Sequence, residues 1–415
     1  MATGVPFHDP RMRGFRSRTS VEAALGLIDR RVDRLGPERV GLRDASGRVL
    51  AAGVVAGASV PAFDRAAMDG YAVRGEETFG ADPYTPIAFE LIGRVRPGGD
   101  RGPFVGPGQA AEIATGAPIP PGADTVVRVE ATESDGRTVR VSEPTAPGRH
   151  VGRAGEDIVG GTAVLAAGRV LRPQDVGLLS AIGSGTVEVV RRPGVTILVT
   201  GDELLAAGTR PAGSRIADAN SPMLAALVAR DGGLPSVVGP LPDDRDRIRS
   251  SILGAAGSAD CLLISGGSST GPEDHAPGIV AELGELPVHG LAIRPASPAG
   301  LGFVGGVPVV LLPGNPVSCL CAYDFIAGPI VRRLGGRPPS WPYRPTELPL
   351  AYKLASVVGR VDYARVAVSQ GRVEPIAISG ASILSSTTRA DGFVVVPADL
   401  EGYPAGAVVT VWLYD

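Results

Sequence analysis

Three features of this 415-residue sequence predict a multidomain protein of α/β plus β class. The length exceeds what one ordinary core accommodates. Between positions 191 and 336, apolar runs that suit strands alternate with helical patterns, the signature of a parallel sheet. On either side, short β-prone stretches punctuated by Gly and Pro read as smaller β-domains.

The parallel sheet rests on four apolar stretches, each running into a polar loop rich in Gly or Pro. Val195 to Val199 precedes Thr200-Gly201-Asp202-Glu203, and Ser236 to Val238 precedes Pro242-Asp243-Asp244. Cys261 to Ile264 opens onto Ser265-Gly266-Gly267-Ser268-Ser269-Thr270-Gly271, closing on Asp274. Val307 to Leu312 runs into Pro313-Gly314-Asn315-Pro316-Val317-Ser318. Helical patterns span Ser221 to Arg230, Arg245 to Ala256 and Val317 to Leu334. In such sheets the loops after the strand C-termini share one edge, so these distant segments should line one crevice. A Gly/Ser-rich loop lets backbone amides approach an anion closely, although a plain strand-to-helix turn reads the same way when taken alone.

Elsewhere, a helix is expected from Ser20 to Leu35, with a capping-box pattern at Thr19-Ser20-Val21-Glu22. The stretch from Val60 to Arg74 has neither helical nor strand periodicity and predicts an ordered irregular segment, in which Asp69 is a turn-former or a ligand. From Gly75 to Pro147 short strands are expected, with Thr125 to Ala131 and Thr138 to Ser142 flanking an Asp135-Gly136 hairpin turn. Pro173 to Ala181 predicts a short helix, and Gly335 to Pro342 has linker composition. Tyr343 to Asp415 then reads as a small β-domain.

A net charge of −3 gives no electrostatic footprint for nucleic acid. No apolar run reaches the roughly 18 residues of a spanning helix, and the N-terminal stretch lacks a signal-peptide core. A cytoplasmic protein away from membranes is therefore expected. Three cysteines and four scattered histidines offer neither a disulfide framework nor zinc-ligand spacing.

Several segments together resemble the molybdopterin molybdenumtransferases, the molybdenum insertases that include the E domain of gephyrin. The carriers are Phe63 to Arg74, Ala114-Thr-Gly-Ala-Pro118, Gly155-Glu-Asp-Ile158, Thr200 to Leu204, Ser265 to Gly271 with Asp274, and Leu312 to Ser318. Their joint occurrence in this order is specific, and the resemblance covers nearly the whole chain. It implies an elongated helical segment (1–55 and 148–190), an inserted β-domain (56–147), a molybdopterin-binding α/β domain (191–336) and a C-terminal β-barrel (337–415). It also implies a homodimer that uses adenylylated molybdopterin, molybdate and Mg²⁺, releases AMP, and has the molybdopterin adenylyltransferase as a candidate partner. The family's acidic positions fall on Asp69, Asp157, Glu203, Asp243 and Asp274, of which Asp157, Glu203 and Asp274 are expected at the metal. Thr115, Ser265, Gly266, Gly267, Ser268, Gly314 and Asn315 are expected at the pterin phosphate. Arg294, Pro298 and Ser318 are expected at the oxyanion, and Arg365 and Ser385 follow from a looser alignment.

One segment departs from the family pattern. Where lysines are common the chain has Gly290, Arg294 and Ser297, so less positive charge is expected at the oxyanion. Arg65, also a departure, is a candidate to return one charge across a dimer interface. Two alternatives stay open: a paralogue that binds molybdopterin without inserting metal, and a tungstate-preferring insertase.

Overall fold

The computed structural model describes residues 15, 17–267, 271, 274–377 and 380–414. The chain divides into two compact units. One takes the N-terminal residues to Glu38, Gly47–Val49 and everything from Val189 onward; the other takes Arg39–Ser46 and Leu50–Glu188.

The larger unit is built on a six-stranded sheet. Gly194–Thr200 and Cys261–Ser265 lie at its centre, flanked in parallel by Leu234–Leu241 on one side and Val307–Leu312 on the other. The central strands are buried throughout, as their unbroken apolar runs require. The sequence did not signal the other two strands of the sheet, an antiparallel extension through Gly300–Val304 to Glu285–His289. Leu234–Leu241 differs from a core strand: it forms the edge, and Leu234, Val237 and Val238 are exposed.

Helices Asn220–Arg230, Arg245–Ala256 and Ala276–Leu283 connect the strands. The single helix expected from Val317 to Leu334 is instead an α–π–α succession: Pro316–Ala322, a π turn over Tyr323–Ala327, and Gly328–Leu334. The first helix is shorter than its periodicity suggests, Val21–Arg31. Ser20 caps it by accepting from the Ala23 amide at 3.1 Å. Val32 turns extended, and the Leu35 amide bonds to the Leu334 carbonyl in place of a helical partner.

The C-terminal part of this unit pairs Val361–Ser369 with Gly392–Val396 and Arg372–Ala377, and Val408–Leu413 with Arg344–Pro349. An isolated bridge joins Leu350 to Val373.

The second unit contains a six-stranded sheet in which Gly70–Val73, second from one edge, corrects the reading of that stretch as irregular. Both its neighbours, Gln109–Ile113 and Thr125–Arg128, bury it, and that long-range pairing outweighs its lack of local periodicity. The Asp135-Gly136 turn is present, but it joins Thr132–Ser134 to Thr138–Val141. The helix Pro173–Ala181 forms as expected, its N-terminus closed by Asp175, whose carboxylate accepts from the Arg172 amide at 2.9 Å.

Candidate functional site

The four parallel strands deliver their C-terminal loops to one cavity of about 800 Å³ in the larger unit. Glu203 comes from the loop after the first strand, Asp243 from the loop after the edge strand, and Asp274 from the end of the glycine-rich loop. Gly314, Asn315 and Ser318 come from the fourth loop and the helix it opens. Ser265, Gly266, Gly267 and Pro298 also line the cavity, so the unit brings most of its expected residues together. Ser268 lies outside the described residues.

Backbone geometry explains the glycines. Gly266 adopts φ +98°, and a Cβ there would stand 2.3 Å from the Thr200 carbonyl oxygen. Strand and loop can approach this closely only without a side chain. Asp274 then folds back to accept from the Gly271 amide at 2.6 Å, which fixes the far end of the loop.

Two further residues had no motif to announce them. Asp218, buried, accepts from the amides of Asn220 and Ser221 at 2.9 and 3.0 Å and from the Ser221 hydroxyl. It thereby sets the start of helix Asn220–Arg230. Asn220 donates its amide nitrogen to Ser265 Oγ at 2.9 Å and to the Gly314 carbonyl at 2.8 Å, tying two of the cavity's loops together. A carbonyl can only accept, so the nitrogen must face it. Asn220 Oδ1 is thus turned away, buried and without a hydrogen-bond partner among the described residues, as is Thr200 Oγ1. Unsatisfied polar atoms on the wall of a cavity are the mark of a place that receives a polar ligand or ordered water.

Arg294 departs from expectation. It does not line the cavity; its guanidinium forks onto Asp362, with Nε at 2.7 Å from Oδ1 and Nη2 on Oδ2. Asp362 is buried and also accepts from Ser356 at 2.6 Å. Arg365 is fully buried on its strand and Ser385 is exposed, and neither lines the cavity. Among the described residues no lysine, arginine or histidine lines it.

The remaining expected residues belong to the second unit. Asp69 Oδ1 accepts from the Thr115 amide at 2.7 Å and its hydroxyl at 3.1 Å, beside a cavity of about 490 Å³ lined by Asp69, Arg94, Arg96 and Glu112. Asp157 is exposed, its amide bonded to the Val60 carbonyl at 3.1 Å. Arg65 pairs with Glu156 at 3.4 Å.

Among the described residues no three His, Cys, Asp or Glu side chains form a ready-made metal cage. Glu203, Asp243 and Asp274 nevertheless give the large cavity hard oxygen donors, and no basic side chain is among its described lining residues. That donor set fits Mg²⁺, which keeps waters and shares its shell with substrate phosphates. The three cysteines are all buried, and burial pushes the thiols of Cys261 and Cys319 up to about 12 and that of Cys321 well above its ordinary value. None is available as a ligand.

A carboxylate-lined cavity beside a glycine loop, at the C-terminal edge of a parallel sheet, is the ligand crevice of an α/β domain. Comparison with known proteins narrows the class. Residues 196–333 match the model of a probable molybdopterin binding domain, residues 19–183 the MoeA N-terminal region (domains I and II), and residues 347–414 the MoeA C-terminal region (domain IV). Molybdopterin molybdenumtransferase 2 of Mycobacterium tuberculosis is 34% identical over 91% of this chain and 95% of its own length. The molybdopterin molybdenumtransferase of Bacillus subtilis is 31% identical over 91% and 89%. The crystal structure of the molybdopterin biosynthesis MoeA protein from Pyrococcus horikosii superposes with a TM-score of 0.84 at 33% identity, covering 96% of this chain and all of that one. The chain belongs to the MoeA family of molybdopterin molybdenumtransferases, enzymes of molybdenum cofactor biosynthesis. No described helix is long and apolar enough to cross a membrane.

Proposed function

We propose that this chain inserts molybdate into adenylylated molybdopterin and releases AMP, with Mg²⁺ and as a homodimer. The observation that carries this reading is the convergence of Glu203, Asp243 and Asp274 with the Gly266–Gly267 loop on one cavity. A bound divalent cation would neutralise phosphoanhydride charge and stabilise the departing AMP. Glu203, Asp243 and Asp274 are the residues to hold it. The chain's own loops bind and orient: the backbone around Gly266, Gly267 and Gly314 offers close approach to a phosphate, and Asn220 keeps the two loops in register. Asp69 and Asp157 are proposed as further catalytic carboxylates and Thr115 as a phosphate contact, and the molybdopterin adenylyltransferase is the proposed donor of the adenylylated substrate.

Single-turnover AMP release, measured with Mg²⁺ and with molybdate, tungstate or no oxyanion while the metallated product is scored, tests the reading. AMP release that depends on molybdate and matches cofactor formation is expected. Tight pterin binding without AMP release under any oxyanion would make the chain a molybdopterin-binding paralogue, and release only with tungstate would change the metal.

A further inference from the structure

We propose that Arg18, on the N-terminal segment, is the cation that holds the oxyanion substrate at the Ser297 end of the large cavity. The inference rests on the insertase reading above.

A doubly charged oxyanion entering this cavity meets Glu203, Asp243, Asp274 and Asp218, and no basic residue among the described lining. Some positive charge must stand close by. Lys353 is the only lysine in the sequence, so at the end of the cavity away from the proposed Mg²⁺ an arginine is the side chain to supply it. Arg294 is neutralised by Asp362. Arg215 lies by the carboxylate end, on the Leu204 carbonyl.

Arg18 is placed differently. Its Nε donates to Ser297 Oγ at 2.7 Å, and Ser297 lines the cavity. The Ser297 hydroxyl donates in turn to the Leu291 carbonyl at 3.1 Å, so its oxygen is oriented as an acceptor for Arg18. One of the five guanidinium N–H groups is thereby used to aim the fork, and among the described residues the two terminal nitrogens have no partner, which leaves them for an anion. Arg18 makes no ion pair with any described carboxylate and is exposed.

The segment carrying it is docked rather than trailing. Thr19 donates to the Gly290 carbonyl at 2.9 Å and accepts from the Ala292 amide at 2.8 Å. Phe15 packs edge-on against His289, with ring centroids 5.1 Å apart, and covers Gly290. Gly290 has φ +95°, and a Cβ there would stand 2.7 Å from the Phe15 ring. Gly290 makes room for Phe15, and Ser297 receives Arg18, so both positions serve the docking of this one segment.

Equilibrium dialysis of molybdate against the full-length protein tests this, alongside the molybdate dependence of AMP release, for the parent, Arg18→Ala, Arg18→Lys and the double variant Arg18→Ala with Ser297→Lys. Arg18→Ala is expected to bind molybdate about tenfold or more weakly, the scale of one lost charge-assisted hydrogen bond. Its half-saturating concentration of adenylylated molybdopterin and its melting temperature should be unchanged. Arg18→Lys should fall between, and Ser297→Lys should restore binding to the Arg18→Ala protein. Equal molybdate affinity in Arg18→Ala and the parent would overturn the proposal. If the parent loses molybdate binding on Arg18→Ala yet releases no AMP, the insertase reading fails and the role of Arg18 in anion binding stands. If AMP release needs molybdate and is indifferent to Arg18, the reverse holds.

Discussion

At the residue scale, the cavity separates charge from scaffolding. Asp274 uses one oxygen to hold the Gly271 amide, so its loss has a structural as well as an electrostatic component. Glu203 is exposed on the cavity wall and its carboxylate accepts no amide hydrogen bond among the described residues, so the isosteric Glu203→Gln isolates charge. Glu203→Gln is expected to slow single-turnover AMP release about a hundredfold, with the urea midpoint unchanged. Asn220 is the opposite case. Asn220→Asp would set a carboxylate oxygen against the Gly314 carbonyl, where only a donor is tolerated. Stability should fall by about 1–3 kcal/mol in urea denaturation, and the half-saturating concentration of adenylylated molybdopterin should rise.

At the scale of elements, the glycine loop and the π turn both depart from ordinary geometry. Gly266→Ala forces a side chain onto the Thr200 carbonyl in a left-handed conformation, so it should abolish pterin binding. Circular dichroism would show the secondary structure retained, since the strain is confined to one loop. The π turn carries Asp324, fully buried among Arg230, Tyr343 and Tyr363. Burial pushes its carboxyl from 3.8 up to about 6. Between those values the folded state holds the proton more tightly than the unfolded state, so this group's contribution to stability is greatest below the window and falls as pH rises through it. Asp324→Asn mimics the protonated form. Relative to the parent it should gain about 2–3 kcal/mol between pH 4 and pH 7, read from urea midpoints at both.

These elements also show what the sequence made legible. The parallel strands and their crevice could be read because unbroken apolar runs ending in Gly, Pro and carboxylates have one common solution. Gly70–Val73 could not, since its strand character comes from partners 39 or more positions away. The hold on Arg294 was hidden for the same reason: Asp362, its cross-strand partner in the same sheet but 68 positions away, captures its guanidinium. Asn220 acts across 45 and 94 residues and Arg18 across 279, distances over which spacing carries no signal.

At the scale of the whole molecule, a net charge of −3 conceals a local imbalance, because the main cavity is lined by acids alone among its described charged residues. Removing divalent cations with EDTA should therefore stop AMP release, and added Mg²⁺ should restore it. Chelation should leave the fold intact, because the described carboxylates form no closed metal cage on which folding could depend. The three cysteines carry a different kind of information. Cys261 lies in the central sheet, and Cys319 and Cys321 lie in the helix that begins at the fourth loop; all three are buried and held as thiols. An alkylating reagent can reach them only when the core opens. The labelling rate of the native enzyme is consequently a clock for opening of the sheet and its helix, readable by mass one cysteine at a time, and slowing of that clock by a bound substrate would measure how far the cavity's occupant tightens the core beneath it.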